Sequence, residues 1–295
     1  MNKQILIGII AVVLSVGLAL AAKPDFQLAS VNPSNGIASV VIPTNSVEVA
    51  PGVFSLGTGI DKGRIVEGYA IVDYKKAPAK PGTVCGNNVC EPSENANNCP
   101  ADCGGNGGPT STCYGFLANG AKWKTVEPYI VNPANNSGLG SSFIADNLAL
   151  DIGKWETATG VDVLGNGSVT SSTLEADVAS TDGNNEVYFG SIGNEGAIAV
   201  TIVWGIFRGP PQFRELVEWD QVYDQVDFNW SDSGETGKMD FENIATHELG
   251  HSFGLDDLYN SECSEQTMFG LASDGETKKR TLESGDIAGV QALYS

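Results

Sequence analysis

Between residues 47 and 74 the apolar positions follow the two-residue period of strands. Val47 to Val53 and Phe54 to Leu56 are strand-like, Gly57 to Gly63 reads as turns, and Ile65 to Tyr74 alternates again, which predicts a hairpin or small β unit. Val126 to Val131 predicts another strand. From Ser142 to Thr157 the period lengthens, placing Ile144, Leu148, Ile152 and Trp155 on one inward face of a helix, with Trp155 in the core. Gly183 to Gly190, Ala197 to Trp204 and Leu216 to Tyr223 predict three more strands. The middle one is a nearly continuous apolar run and should be buried on both faces. Asp240 is placed to cap a helix that turns Ile244, Ala245 and Leu249 inward. Ser284 is placed to cap a last helix with Ile287, Val290, Leu293 and Tyr294 in one stripe.

The ends and joints of these patterns divide the chain. Lys3, the apolar run Ile5 to Leu20 and the small-residue site Ala19-Leu20-Ala21 read as a secretory signal peptide over residues 1–21, or else an uncleaved membrane anchor. Either reading puts the rest outside the cytoplasm, secreted or anchored at the cell surface. Residues 22–80 form a small β-rich region without cysteine or histidine, ending in a Pro/Lys linker at Ala77 to Gly82. Residues 81–110 carry Cys85, Cys90, Cys99 and Cys103, then a Gly-rich linker from Gly104 to Thr110. In an exported chain four such cysteines read as two local disulfides of unreadable connectivity, with a four-thiolate zinc site as the alternative. Residues 111–295 form the final domain. Cys113 and Cys263 are the two cysteines left over, so parity suggests a bridge between them, two buried free thiols being the alternative.

Acidic residues outnumber basic ones by 36 to 16, a net charge of −20. That repels nucleic acid and anionic membrane surfaces, so neither is expected as a partner, and membrane contact is left only to an uncleaved N-terminal segment. Some of the acids could bind Ca²⁺, the best cluster being Asp177, Asp182 and Glu186; an ordinary surface turn is the competing reading.

Chemistry concentrates in His247 to Asp257, which reads HELGHSFGLDD. On a helix His247 and His251 are i and i+4, so both imidazoles leave one face and can reach a single cation, with Glu248 beside them. Gly254 lets the helix end in a left-handed turn. The returning chain then offers Asp257 as a third ligand, leaving a tetrahedral zinc one open position. The chain has only two histidines, both in this motif, so a third ligand must be a carboxylate or thiolate. Asp256 is the rival of Asp257.

HELGHSFGLDD resembles the metzincin signature HExxHxxGxxH, most closely in its matrixin branch, with aspartate in place of the last histidine as in snapalysin-type enzymes. The resemblance implies an α+β fold, a twisted mixed sheet with three main helices, preceded here by the small β-rich and disulfide-rich segments. It implies a methionine turn at Met268 beneath the metal, and a last helix in Leu282 to Tyr294. The loop Ser273 to Thr281 would border the pocket for the residue after the scissile bond. The sheet's edge strand would line the cleft, by analogy at Gly190 to Gly196. The implied function is a monomeric, exported zinc endopeptidase acting on protein or peptide. One catalytic Zn²⁺ would sit on His247, His251 and Asp257, with Glu248 as general base. An aspartate ligand would make that zinc a weaker Lewis acid. Residues 22–80 would then be a pro-segment or a spacer; the cysteine-bearing PRCGxPD latency sequence of matrixins is not matched. A catalytically silent surface or adhesion protein of the same fold, or a zinc hydrolase of a non-protein substrate, is the alternative.

Overall fold

Nine successive buried positions make β8 (Ala197–Ile206) the centre of the sheet. A strand covered on both faces has no polar side to show to water, which is why its sequence is an unbroken apolar run. In the computed structural model, which describes residues 38–75 and 113–295, β8 pairs antiparallel with β9 (Glu215–Asp224) on one side and with β4 (Arg64–Lys75) on the other. Past β9 the sheet continues in parallel through β7 (Glu186–Ile192), β5 (Glu127–Asn132) and β6 (Leu164–Val169). Past β4 it ends in the antiparallel strands β3 (Val53–Asp61) and β2 (Val47–Ala50). Two short strands add in parallel: β1 (Ser39–Val40) to β7 and β12 (Leu271–Ala272) to the end of β4. A separate parallel pair joins β10 (Trp230–Ser231) to β11 (Met239–Asp240).

Three helices are present among the described residues, α1 (Ser141–Thr159), α2 (Phe241–Ser252) and α3 (Ser284–Tyr294), so the α+β class and the mixed sheet are as expected. Ile144, Leu148, Ile152 and Trp155 of α1 are all buried. Trp155 stacks on Phe253 at 5.9 Å, and its indole N–H donates to the Thr246 carbonyl at 2.9 Å, which docks α1 against α2 over the sheet. No described helix is long and apolar enough to cross a membrane.

Three details differ from the sequence reading. The expected turn at Gly57 to Gly63 is mostly strand: β3 runs through to Asp61, with a register shift between Ser55 and Gly57, and only Lys62 and Gly63 turn. β6, reading LGNGSV, was not anticipated, because its glycines give no apolar alternation. The last helix is capped by Glu283 in a reciprocal capping box with Asp286, and Ser284 is its first helical residue.

β2, β3 and β4 share one sheet with residues 113–295. Val66, Ala70, Ile71 and Val72 are completely buried against it. Cys113 and Cys263 are joined in a disulfide across a separation of 150 residues. Closing so long a loop restricts the unfolded chain and is worth about 2–4 kcal/mol. Cys85, Cys90, Cys99 and Cys103, like the segment expected to be a signal peptide, lie outside the described residues.

Candidate active site

The Asp240 carboxylate caps α2 by accepting from the Asn243 N–H at 3.0 Å, and it is held in turn by Arg280 at 2.6 Å. Along this helix His247 and His251 leave the same face, their ring centroids 4.9 Å apart. His247 Nδ1 lies 2.6 Å from the Thr267 carbonyl oxygen, and His251 Nδ1 lies 3.0 Å from that of Leu255. A carbonyl can only accept, so each Nδ1 carries a proton, and in the neutral ring each Nε2 is a lone pair turned into the same cluster. Gly254 follows the helix with φ +101°, and a Cβ there would stand 2.9 Å from the Ala121 carbonyl oxygen, so only glycine fits the turn.

That turn returns Asp257 to the histidines. Its Oδ1 lies 3.3 Å from His247 Nε2 and 3.6 Å from His251 Nε2, while Oδ2 accepts from the Tyr259 hydroxyl at 3.1 Å. Asp256 instead accepts from the Asp257 backbone N–H and stands outside this group. A fourth residue comes from β4: Asp73 Oδ2 is 2.7 Å from His247 Nε2. Ligand atoms of Asp73, His247, His251 and Asp257 all lie within 4.8 Å of one another. Both Asp73 oxygens, Asp257 Oδ1 and the two Nε2 atoms are buried without a hydrogen-bond partner. Five lone-pair atoms facing each other away from water are costly unless something positive sits among them. Two imidazoles and two carboxylates are a donor set that suits Zn²⁺.

The titration of the group shows the same demand for positive charge. Burial works against a charge on His247, but Asp73 and then Asp257 outweigh it, against the opposing Lys279, and raise the ring to about 9. Burial pulls His251 below its ordinary value. Glu248 is pushed well up, first by burial and then by Asp73. It stays outside the ligand cluster; its Oε2 accepts from the Thr201 hydroxyl on β8, and its Oε1 is without a partner.

Met268 lies beneath. Gly250 gives it room, since a Cβ there would come within 2.1 Å of the Met268 sulfur. The backbone N–H groups of Thr267 and Met268 both donate to the Asp286 carboxylate, at 2.8 and 3.1 Å. Lys279, buried in the expected pocket-bordering loop, donates to the Phe269 carbonyl and stands 3.3 Å from His247 Nδ1.

The strand that lines this site is β8, not Gly190 to Gly196. The latter is the tail of β7, which pairs with β5 and β9, together with the turn that follows it. Asp73, Thr201 and Lys279 are site residues that the sequence reading missed. Asp73 did leave a trace, as a lone carboxylate closing the apolar run Tyr69 to Val72.

The candidate calcium cluster also regroups. Asp177 meets Glu218 and Asp220 of β9, their ligand atoms within 4.8 Å. Asp182 is occupied with its own turn at Asn184, and Glu186 accepts from the Glu175 N–H. Asp220 accepts from two backbone N–H groups, but Glu218 Oε1 and Asp177 Oδ2 have no partner. Burial, and after it the Asp177 carboxyl, pushes Glu218 up from 4.5 to about 10. Above pH 4.5 the folded chain therefore holds a proton that the unfolded chain releases. Stability is full below that pH and declines as pH climbs towards 10. In calcium-free buffer the thermal midpoint of Glu218→Gln should draw ahead of wild type as the solution is made alkaline. A constant gap between the two would show that Glu218 does not titrate in that window.

The family model described as Matrixin matches residues 168–295. Matrilysin from Rattus norvegicus is 36% identical over 75 residues, which is 25% of this chain and 26% of its own. Metalloendoproteinase 2-MMP from Arabidopsis thaliana is 34% identical over 76 residues, 23% of this chain and 19% of its own. The matches thus span about a quarter or less of those relatives. Metalloproteinase-II from Bacteroides fragilis aligns over 84% of this chain and 78% of its own at 11% identity, with a TM-score of 0.33, a likeness too loose to carry an argument.

Proposed function

With a matrixin-like metzincin in residues 168–295 as the premise, we propose that the chain is an exported zinc-dependent endopeptidase. His247, His251 and Asp257 are its metal ligands. The observation that carries this reading is the convergence of His247 Nε2, His251 Nε2 and Asp257 Oδ1, buried and without hydrogen-bond donors, while both Nδ1 atoms are tied to carbonyls. Zn²⁺ bound there supplies Lewis acidity to a peptide carbonyl and to water. The protein's own part is divided among three groups. Glu248 takes the proton of the attacking water and returns it to the leaving amine. Thr201 holds Glu248 Oε2 and leaves Oε1 without a partner. The edge of β8 that β4 covers would, once freed, bind an extended peptide by backbone hydrogen bonds, which confers little selectivity by itself and leaves preference to side-chain pockets.

Export rests on the segment from Lys3 to Ala21, and monomeric action on protein or peptide substrates belongs to the same proposal. Calcium, if the chain takes it, would have Asp177, Glu218 and Asp220 as its ligands, whose carboxylate oxygens lie within 4.8 Å of one another. The deciding experiment counts zinc per chain and follows hydrolysis of an unfolded protein with and without a chelator. It uses wild type, Asp73→Asn and His251→Ala chains. One zinc, lost in His251→Ala, with chelator-sensitive hydrolysis in at least one of the other two chains, is the expected result. Zinc without hydrolysis in any chain would point to a binding role or a non-protein substrate, and absence of zinc would remove the site.

A further inference from the structure

We propose that β4 is a substrate-like inhibitor carried in the same chain, with Asp73 capping the metal as a fourth ligand. The proposal rests on the reading of His247, His251 and Asp257 as zinc ligands. β4 lies where an extended substrate would add to the sheet. It runs antiparallel to β8 from Glu67 opposite Gly205 to Tyr74 opposite Ala197. At its far end Tyr74 and Lys75 pair in parallel with Leu271 and Ala272 of β12, so both walls of the groove are taken by one strand.

Side chains of β4 alternate as a strand requires. Ile71 enters the core shared with α2, whereas Ala70 and Val72 enter the cluster on the opposite face. Asp73 follows on the Ile71 side and brings its carboxylate to 2.7 Å from His247 Nε2. A buried carboxylate closing an apolar run of a strand has no packing rationale, and it is tolerated only when paired with positive charge. Here the partner would be the metal, reached by an aspartate side chain instead of a peptide carbonyl, so no scissile bond is presented. Glu248 is 0% exposed beneath this strand, so bulk water does not reach the general base.

The strand is fastened along its length. Arg64 pairs with Glu215 and Asp61 at one end, and Lys75 with Asp274 at 2.6 Å at the other. The Tyr259 hydroxyl lies within hydrogen-bond reach of both the Pro51 carbonyl and Asp257 Oδ2, which links the N-terminal strands directly to a metal ligand. Activity then requires β4 to leave β8, and a truncation that removed residues 23–80 would strip the sheet's cover as well as its inhibitor.

The test uses full-length chain loaded with Co²⁺, as wild type, Asp73→Asn and His251→Ala, with acetohydroxamate as a small metal-directed probe. Loss of a carboxylate ligand should change the visible cobalt spectrum of Asp73→Asn relative to wild type. The spectrum of the variant should also shift on adding acetohydroxamate at a concentration that leaves wild type unchanged, because the competent state no longer has to be won from the closed one. Identical spectra and equal responses to acetohydroxamate, with cobalt still lost in His251→Ala, would overturn the Asp73 proposal while leaving the zinc site standing. Equal cobalt binding by wild type and His251→Ala would overturn both. Asparagine keeps the volume of aspartate, so the variant should fold. Should it not, the wild-type chain decides alone: a cobalt spectrum indifferent to acetohydroxamate supports the capped site, and a spectrum that shifts sinks it.

Discussion

Glu248→Gln, introduced into a chain already carrying Asp73→Asn, is expected to lower kcat/KM for peptide cleavage by roughly 10²–10⁴-fold, the usual worth of a positioned general base. The zinc content should not change. The carboxylate is not in the donor cluster, and its Oε2 is held by the Thr201 hydroxyl, a bond that the glutamine carbonyl can still accept. What the amide cannot do is receive a proton at Oε1, the oxygen left without a partner beside the converging lone pairs. Burial, with Asp73 adding to it, holds the Glu248 acid well above its ordinary value, so removing the Asp73 charge should lower that value and favour the basic form. Metal analysis beside initial rates checks the prediction. Loss of zinc in parallel with activity would make Glu248 a structural support of the site, and unchanged rates would remove it from the mechanism.

The motif residues were legible in the sequence because their arrangement is local. His247 and His251 are one helical turn apart, Gly254 is the break, and Asp257 lies within reach once the chain turns. Even the choice between Asp256 and Asp257 needed coordinates, since adjacent residues in a turn point different ways and spacing does not say which way. Asp73 and Thr201 were beyond reach for a different reason. Asp73 approaches the motif because β4 pairs with β8, and Thr201 because β8 packs against α2; both are set by long-range packing that no window of the sequence contains. The burial of β4 was partly visible. Tyr69 to Val72 is a continuous apolar stretch, more than the exposed edge of a small free-standing hairpin needs, and in the fold it lies between β3 and β8. The lining strand was misplaced by analogy, although the run Ala197 to Trp204, already read as buried on both faces, was the better choice.

Asp286 was not singled out in the sequence, yet Asp286→Ala is expected to cost roughly 3–5 kcal/mol and to weaken metal binding with it. The residue is completely buried at the start of α3. Its Oδ2 accepts from the Thr267 and Glu283 N–H groups, each at 2.8 Å, and its Oδ1 accepts from the Met268 N–H at 3.1 Å. Truncation therefore leaves three backbone donors without their acceptor, and each buried orphan costs about 1–3 kcal/mol before relaxation. Two of the three belong to the turn that carries Met268. The carbonyl of Thr267, the same residue whose N–H is released, is what fixes the proton of His247 on Nδ1 and leaves Nε2 as a ligand. Loosening that carbonyl frees the imidazole to rotate or change tautomer, and lost support of this kind typically costs a metal site 10–100-fold in affinity. Asp286→Asn separates the two effects. It keeps one acceptor oxygen but turns an NH₂ toward N–H groups, so it should fall between wild type and Asp286→Ala both in the denaturation midpoint and in zinc retained against a competing chelator. A destabilised Asp286→Ala chain with wild-type zinc affinity would show that Asp286 supports the fold alone and that His247 is oriented without it.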